Sequence, residues 1–365
     1  MSLFGLPNEL LFFITSNLNL KEYHCLRLAS KLLNLPVVPY LTWEAYIESV
    51  IILDLYQTDS LMKPLSIHID YYRLELLFDH KQFNVIFNIL KSKPNSIPKQ
   101  TKEDIFIKSS IHGITNIVQL LLNDSSVDPS VNNNWAIRQA AINGHLECLQ
   151  ILLADERTDP SVDDNSCIHL IAQNGHHEIL GLLMKDERVD PSAVHNQAIR
   201  NAALRGRTEC LRLLLQDPRV DPTAKDNISI VWASRNGFTD CVKLLLADPR
   251  VNPTSACNQA VRNASERGHY ECVKLLLRDP RVDPTADDNG AIKMACYNGH
   301  MNCIKLLLDD RRVDPTAENH TAFRLACENG FDDAVRLLLT NHHVNPRHKD
   351  IIRILKGFDR LYLLN

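Results

Sequence analysis

The sequence has little of several features that would point to a particular class of protein. Its 365 residues carry 40 Lys and Arg against 44 Asp and Glu, and a net charge of −4 disfavours a nucleic-acid binder, which usually has a basic excess. No apolar run approaches the ~20 residues that a membrane span needs, and no basic, apolar leader opens the chain. Ten cysteines are too few for a disulfide scaffold, so we expect an intracellular protein, cytoplasmic or nuclear, with reduced thiols.

Motifs for catalysis or cofactor binding are also missing from the sequence. It contains no paired-carboxylate site, P-loop, Gly-rich nucleotide motif or nucleophile elbow. It has no Cys-x-x-Cys spacing, and its adjacent histidine pairs, 176–177 and 342–343, lack the one-turn spacing of metal-binding helices. We therefore expect a non-enzyme with no cofactor, no metal and no small-molecule substrate.

What the sequence does have is a strong internal repeat. Gly recurs every 31 residues from position 113 to position 330. A second marker, the dipeptide Asp/Asn-Pro, holds the same spacing over eight units, which indicates one repeated structural unit. The dipeptide begins at Asp128, Asp159, Asp190, Asp221, Asn252, Asp283, Asp314 and Asn345.

Each unit is predicted to form two helices. In residues 289–315, NGAIKMACYNGHMNCIKLLLDDRRVDP, Asn289 is a plausible N-cap of the first helix. Gly299 is expected to end that helix in the left-handed conformation, and Pro315 disfavours helix at Asp314. Because one helix pair cannot bury both of its faces alone, neighbouring units must stack into a solenoid.

The repeated segments resemble the ankyrin repeat. Residues 136–145 (AIRQAAINGH) and 322–330 (AFRLACENG) are similar to its signature T-P-L-H-x-A-A-x-x-G-H, and the resemblance covers roughly residues 103 to 345. It implies an all-α, ankyrin-type solenoid of helix-turn-helix repeats that binds a protein target on its concave face. The period of 31 residues is shorter than the usual ~33, which predicts slightly short loops or hairpins.

Residues 3 to about 45 depart from the repeat and resemble an F-box. The resemblance implies docking on a Skp-type adaptor of a cullin-based ubiquitin ligase, through an apolar patch laid into a groove. We expect that patch to comprise Leu6, Pro7, Leu10, Leu11 and Ile14. The alternative is a plain helical cap that buries these residues against the first repeat. The matching residues are Leu6, Pro7, Glu9, Leu10, Leu11, Ile14, Leu18, Glu22, Leu26, Arg27, Leu28, Ser30 and Lys31.

These patterns divide the chain into four predicted regions. Residues 1–48 form the F-box-like module, and residues 49–102 form a helical linker with a degenerate repeat over residues 67–98. Residues 103–348 form an array of about eight ankyrin-like units, and residues 349–365 form a C-terminal capping helix. A substrate receptor for a ubiquitin ligase is then the leading hypothesis, and a stand-alone interaction scaffold is the alternative.

The target-binding residues are sought at positions that vary between units. Trp135 and Tyr297 are candidate aromatic anchors, since Trp and Tyr are enriched at interface hot spots. A mostly cationic register of the first helix permits two interpretations, an intramolecular lattice or a groove that offers charges to a ligand. The predicted target-binding set is Trp135, Arg138, Arg200, Arg235, Arg262, Lys293, Tyr297 and Arg324.

Other recurring residues are predicted to be structural. Cysteines in two repeat registers behave as small buried hydrophobes, and His145, His269 and His300 follow the turn Gly, where ankyrin repeats commonly have His. The Asp-x-Arg-Val-Asp element, as in residues 279–283, is also predicted to be structural, because it recurs so regularly.

Overall fold

A computed structural model describes Phe78 and residues 83–92, 94–341 and 344–364. These residues form 18 α-helices and no strand, which confirms the predicted all-α class. Two short 3-10 helices cover Pro94–Ser96 and Leu361–Leu364. The helices are α1 Phe83–Ser92, α2 Lys99–His112, α3 Thr115–Leu122, α4 Val131–Ile142, α5 Leu146–Leu153, α6 Val162–Asn174, α7 His177–Leu183, α8 Ala193–Leu204, α9 Thr208–Gln216, α10 Ala224–Arg235, α11 Thr239–Ala247, α12 Ser255–Glu266, α13 Tyr270–Arg278, α14 Ala286–Tyr297, α15 Met301–Leu308, α16 Ala317–Glu328, α17 Asp332–Leu339 and α18 Lys349–Gly357.

The chain divides into two compact parts, which are distinct from the repeat units. The first comprises residues 1–106 and 116–127, and its described part holds an ion pair in which Lys102 Nζ lies 2.6 Å from Asp124 Oδ2. The second comprises residues 107–115 and 128–365 and contains the helix pairs from α4 onward. No helix in the described part is long and apolar enough to cross a membrane.

The helix pairs in the second compact part of the chain pack with equivalent helices side by side. First helices pack against the first helices of neighbouring pairs, and second helices pack against second helices. Small residues such as Ala264 and Cys272 are fully buried beside branched ones such as Leu276. This alternation of small and large apolar side chains lets neighbouring helices approach closely and leaves few voids.

A left-handed glycine follows each first helix, as the sequence predicts. These glycines have φ between 66° and 91°, a conformation that other residues adopt only with strain. Space excludes a side chain as well, because a Cβ on Gly206 would lie 2.5 Å from the Phe238 ring of the next unit. Both constraints explain the spacing of Gly in the sequence.

The Asp-x-Arg-Val-Asp element joins each unit to the one before it. Arg281 forms an ion pair with Asp279 and donates from Nη1 to the Val251 carbonyl oxygen at 2.9 Å. Arg188, Arg219, Arg250 and Arg312 make the same bond to the residue 30 positions earlier. The hydrogen bond from Arg281 holds the pKa of Asp279 below its usual value. The element is structural, as its regularity indicates.

In the C-terminal tail, a different arginine also bonds to a backbone carbonyl oxygen of an earlier unit and pairs with an aspartate. After α18, Arg360 Nε donates to the Cys327 carbonyl oxygen at 3.0 Å, and its guanidinium also pairs with Asp332. The buried side chains of Ile351 and Leu355 give α18 an inward apolar face. The last helix pair is thereby covered by a segment that lacks the 31-residue pattern.

Candidate interaction surface

A left-handed turn begins each first helix from α4 to α16. Within the bounds of each helix, three consecutive residues have φ of 48–63°, whereas the residues that follow are right-handed. Left-handed backbone costs an L-residue roughly 1–2 kcal/mol, and only Gly, Asn and Asp adopt it routinely. The turns cover residues 132–134, 163–165, 194–196, 225–227, 256–258, 287–289 and 318–320.

Asn at the third position of six turns stabilises this strained backbone. With each unit counted from its Asp/Asn-Pro dipeptide, Asp314 is the first residue of the next unit, and Asn289 Oδ1 accepts its backbone N–H at 2.8 Å. Asn227 accepts from Asn252 at 2.7 Å and also donates to Ser255 Oγ at 2.8 Å. The prediction that Asn289 caps the first helix is therefore wrong, because its side chain bonds to the next unit rather than to its own helix. Asn134, Asn165, Asn196 and Asn258 make the equivalent bond.

The seventh turn has a histidine in this place. His320 Nδ1 is buried without a hydrogen-bond partner among the described residues, and its ring centroid lies 5.8 Å from that of His348. Burial lowers the pKa of His320, and the nearby His348 lowers it further. The Asn series thus ends one unit before the tail.

First helices and left-handed turns are also joined by side-chain pairs, which we call rungs. A rung links the cationic register of a first helix with the first turn residue 25 positions later. Arg138 Nη2 lies 2.6 Å from Asp163 Oδ2, and Lys293 Nζ lies 2.7 Å from Glu318 Oε2. Arg262 pairs with Asp287 in the same way. In these three rungs the cationic register forms an intramolecular lattice.

Among the described residues, the three central rungs carry no ion pair. The residues at the corresponding positions are His169 and Val194, Arg200 and Lys225, and Val231 and Ala256. Arg200 turns back to its own unit, where Nε and Nη2 each lie 3.1 Å from a carbonyl oxygen, those of His195 and Val194 respectively.

The remaining predicted target-binding residues are exposed. Trp135 is 38% exposed and lies under the guanidinium of Arg138, 5.4 Å from the ring centroid. Tyr297 is 49% exposed. Arg235 and Arg324 are exposed as well, and Arg324 Nη2 lies 3.4 Å from Thr321 Oγ1. These four side chains are accessible, whereas Arg138, Arg262 and Lys293 are held in ion pairs.

Histidines after the turn Gly bind the preceding unit. Nε2 of His145 lies 2.8 Å from the Ile111 carbonyl oxygen, and Nε2 of His300 lies 2.9 Å from that of Glu266. Since a carbonyl oxygen can only accept, Nε2 carries the proton in each case. His269 makes the same contact to Arg235 at 3.0 Å.

Most of the described cysteines are buried in the core. All are free thiols, and all except Cys257 are buried. Burial raises the pKa of Cys210 and Cys303 to about 11, which keeps both protonated at neutral pH. No group of His, Cys, Asp and Glu in the described part could hold a metal ion.

The predicted adaptor-binding patch lies outside the described residues. This applies to Leu6, Pro7, Leu10, Leu11 and Ile14, and to half of the degenerate repeat over residues 67–98. Helix α1 at Phe83–Ser92 lies within the range of that predicted repeat.

Comparison with known proteins identifies the family. The model of ankyrin repeats in three copies matches residues 137–226, 168–256 and 260–350, which together cover more than half of the chain. No curated protein matches the chain. The fold and this match define a helical repeat solenoid of the protein–protein interaction class. The chain belongs to the ankyrin repeat family, which is generally a non-catalytic interaction module.

Proposed function

We propose that this protein is a substrate receptor that presents a protein target to a ubiquitin ligase. In this proposal the F-box-like module at residues 1–48 binds a Skp-type adaptor, and the array at residues 103–348 binds the target. The observation that supports target binding is the accessible surface of left-handed turns and first helices. By resemblance to ankyrin arrays, that surface corresponds to their concave face.

Variation on this surface supports a binding role. Scaffold positions are filled alike in almost every unit, as with the turn Gly and the third Asn of the turn. By contrast, Trp135, Arg235 and Tyr297 differ from their counterparts in other units and are exposed. Because the fold does not require these residues, they are available to select a partner, and aromatic residues and Arg are common at hot spots.

Adaptor binding is tested with the full chain and a purified Skp-type adaptor. We expect the wild-type chain to co-elute with the adaptor, and Leu10→Asp to abolish co-elution by placing a charge in the apolar patch. Leu361→Asp is the matched control, since Leu361 is 43% exposed and lies in the C-terminal tail. Circular dichroism of each variant confirms that the helical array remains folded.

A stand-alone interaction scaffold is the competing function. Its N-terminal residues would act only as a cap, so the wild-type chain would not bind the adaptor and Leu10→Asp would instead lower the stability of the array. That pair of results would refute the ubiquitin-ligase role and leave the interaction domain itself intact.

A further inference from the structure

The central rungs interrupt the ion-pair lattice at one place. The rungs on either side pair a cation with an anion, as in Arg138 with Asp163 and Lys293 with Glu318. In the rung of Arg200, the turn position is occupied by Lys225 rather than by an acid. Within the described ranges, neither cation has a carboxylate within the 4.0 Å limit of an ion pair.

The two cations are available to a ligand. Lys225 is exposed at the start of its turn, and Arg200 is half-buried with its guanidinium on the carbonyls of the preceding turn. The nearby His169 adds no third positive charge at neutral pH, because burial and the charge of Arg200 together outweigh Asp163 and lower its pKa. By register, Lys225 occupies the position from which Asp163 pairs with Arg138. Two like charges at these positions favour an anion that binds both.

Val194 adds an apolar contact point beside them. It has φ 53° and ψ 49°, yet it is 41% exposed. A β-branched residue in this conformation is strained, and exposure returns no burial energy for that strain. Arg200 Nη2 lies 3.1 Å from the Val194 carbonyl oxygen, which places Val194 next to the cationic side chain.

Charges around the patch select the kind of anion. Exposed carboxylates lie at Asp164 in the preceding turn and at Asp288 two turns further along, and Asp226 follows Lys225 directly. A long polyanion such as a nucleic acid would be repelled by them along most of its length, whereas a single carboxylate would not. An acidic segment of a protein fits a short cationic patch better.

We propose that Val194, Arg200 and Lys225 form a docking site for an acidic linear segment of a partner protein. A carboxylate of the segment binds the two cations, and an apolar side chain beside it covers Val194. This inference rests on the proposed function, since it locates the binding of a protein partner on the array.

The site is tested by selecting short random peptides displayed on phage against the full wild-type chain. We expect the selected peptides to combine Asp or Glu with Leu, Ile or Val, and to bind Lys225→Asp more weakly by on the order of tenfold or more. That variant recreates the ion-paired rung of Arg138 with Asp163, so it is expected to fold. Lys243→Asp is the matched control, an exposed residue on the second helix of the same pair.

A second variant separates binding from folding. Val194→Asn replaces the strained residue with one that tolerates the left-handed turn, as Asn132 does in the first turn. We expect its thermal midpoint to rise while peptide affinity falls by several-fold, whereas a purely structural role for Val194 would change stability alone.

Three results would overturn the inference. They are selection of no acidic peptide, equal binding by Lys225→Asp and Lys243→Asp, and preferential binding of single-stranded oligo(U) that Lys225→Asp abolishes. Peptides that bind both variants equally would leave the interaction function standing and refute only this location. The adaptor experiment does not depend on any of these residues.

Discussion

Replacing Asn227 with Ala should destabilise the array far more than replacing its neighbour in the same left-handed turn. Asn227 is buried, accepts the Asn252 N–H at 2.7 Å and donates to Ser255 Oγ at 2.8 Å. A net hydrogen bond is worth about 1 kcal/mol, and a buried group left unpaired costs about 1–3 kcal/mol. Loss of both bonds should therefore lower the free energy of unfolding by about 2–4 kcal/mol.

Asp226→Ala is the control for the backbone contribution. Asp226 has φ 58°, close to the 56° of Asn227, but it is exposed and makes no side-chain hydrogen bond within the described ranges. Both variants lose a residue that tolerates the left-handed conformation, so that cost of roughly 1–2 kcal/mol cancels in their difference. The difference between the two variants then reports the hydrogen bonds.

Equilibrium urea unfolding of the full chain, followed by circular dichroism, measures the effect. Because the units of a repeat array can unfold separately, amide hydrogen exchange over α10 and α12 provides a local measurement. Equal destabilisation by the two variants, to within about 0.5 kcal/mol, would refute the role that we assign to the inter-unit bond.

Three further predictions concern the same inter-unit contacts. Arg250→Lys should lower stability by about 1–3 kcal/mol because a lysine cannot reproduce the forked contacts, whereas Arg212→Lys on an exposed helix face should change urea unfolding little. Gly237→Ala should destabilise by more than about 1 kcal/mol in thermal unfolding, since φ is 74° and the added Cβ would meet the next unit; an unchanged midpoint would contradict this. The folded pKa of His320 lies below its unfolded value of 6.5, so its neutral form supports folding above that pH and stability falls as pH drops below it. His320→Asn should abolish that part of the acid sensitivity in a pH series of urea midpoints and restore the bond to Asn345.

Much of the scaffold could be predicted from the sequence because its markers are local. The turn Gly is required by a positive φ, and Asp279 and Arg281 lie two residues apart in one turn. Spacing alone revealed these features, and the helices followed from apolar periodicity. Such signals depend on a few consecutive residues, which a sequence displays directly.

The left-handed turns could not be predicted in this way. Asn is favoured both at helix N-caps and in left-handed backbone, so the recurrence of Asn289 and its counterparts fits either structure. The first turn residue includes Val194 and Ala256, which argue against a left-handed conformation when taken alone. The deciding contact lies 25 residues away in the next unit, and its geometry exists only after the units stack.

The role of the cationic register could not be decided from the sequence for a related reason. A cationic register is compatible both with an intramolecular ion-pair lattice and with a ligand-binding groove until the partners of its side chains are known. A comparison of charges 25 positions apart contains the missing signal, since Arg138, Arg262 and Lys293 each precede an acid at that distance whereas Arg200 precedes Lys225. The sequence alone did not indicate that this distance matters.

The constant offset of the inter-unit bonds has a consequence for how the gene of such a protein can change length. Deletion or duplication of one 31-residue unit would rejoin every Asn-to-backbone and Arg-to-carbonyl bond with an equivalent partner. The rungs behave differently, because their residues differ from unit to unit. Removal of residues 201–231 would place Arg200 opposite Ala256 instead of Lys225. In-frame recombination can therefore redistribute surface charge while the scaffold persists, so that new specificities arise from rearrangement of existing units rather than from point substitution.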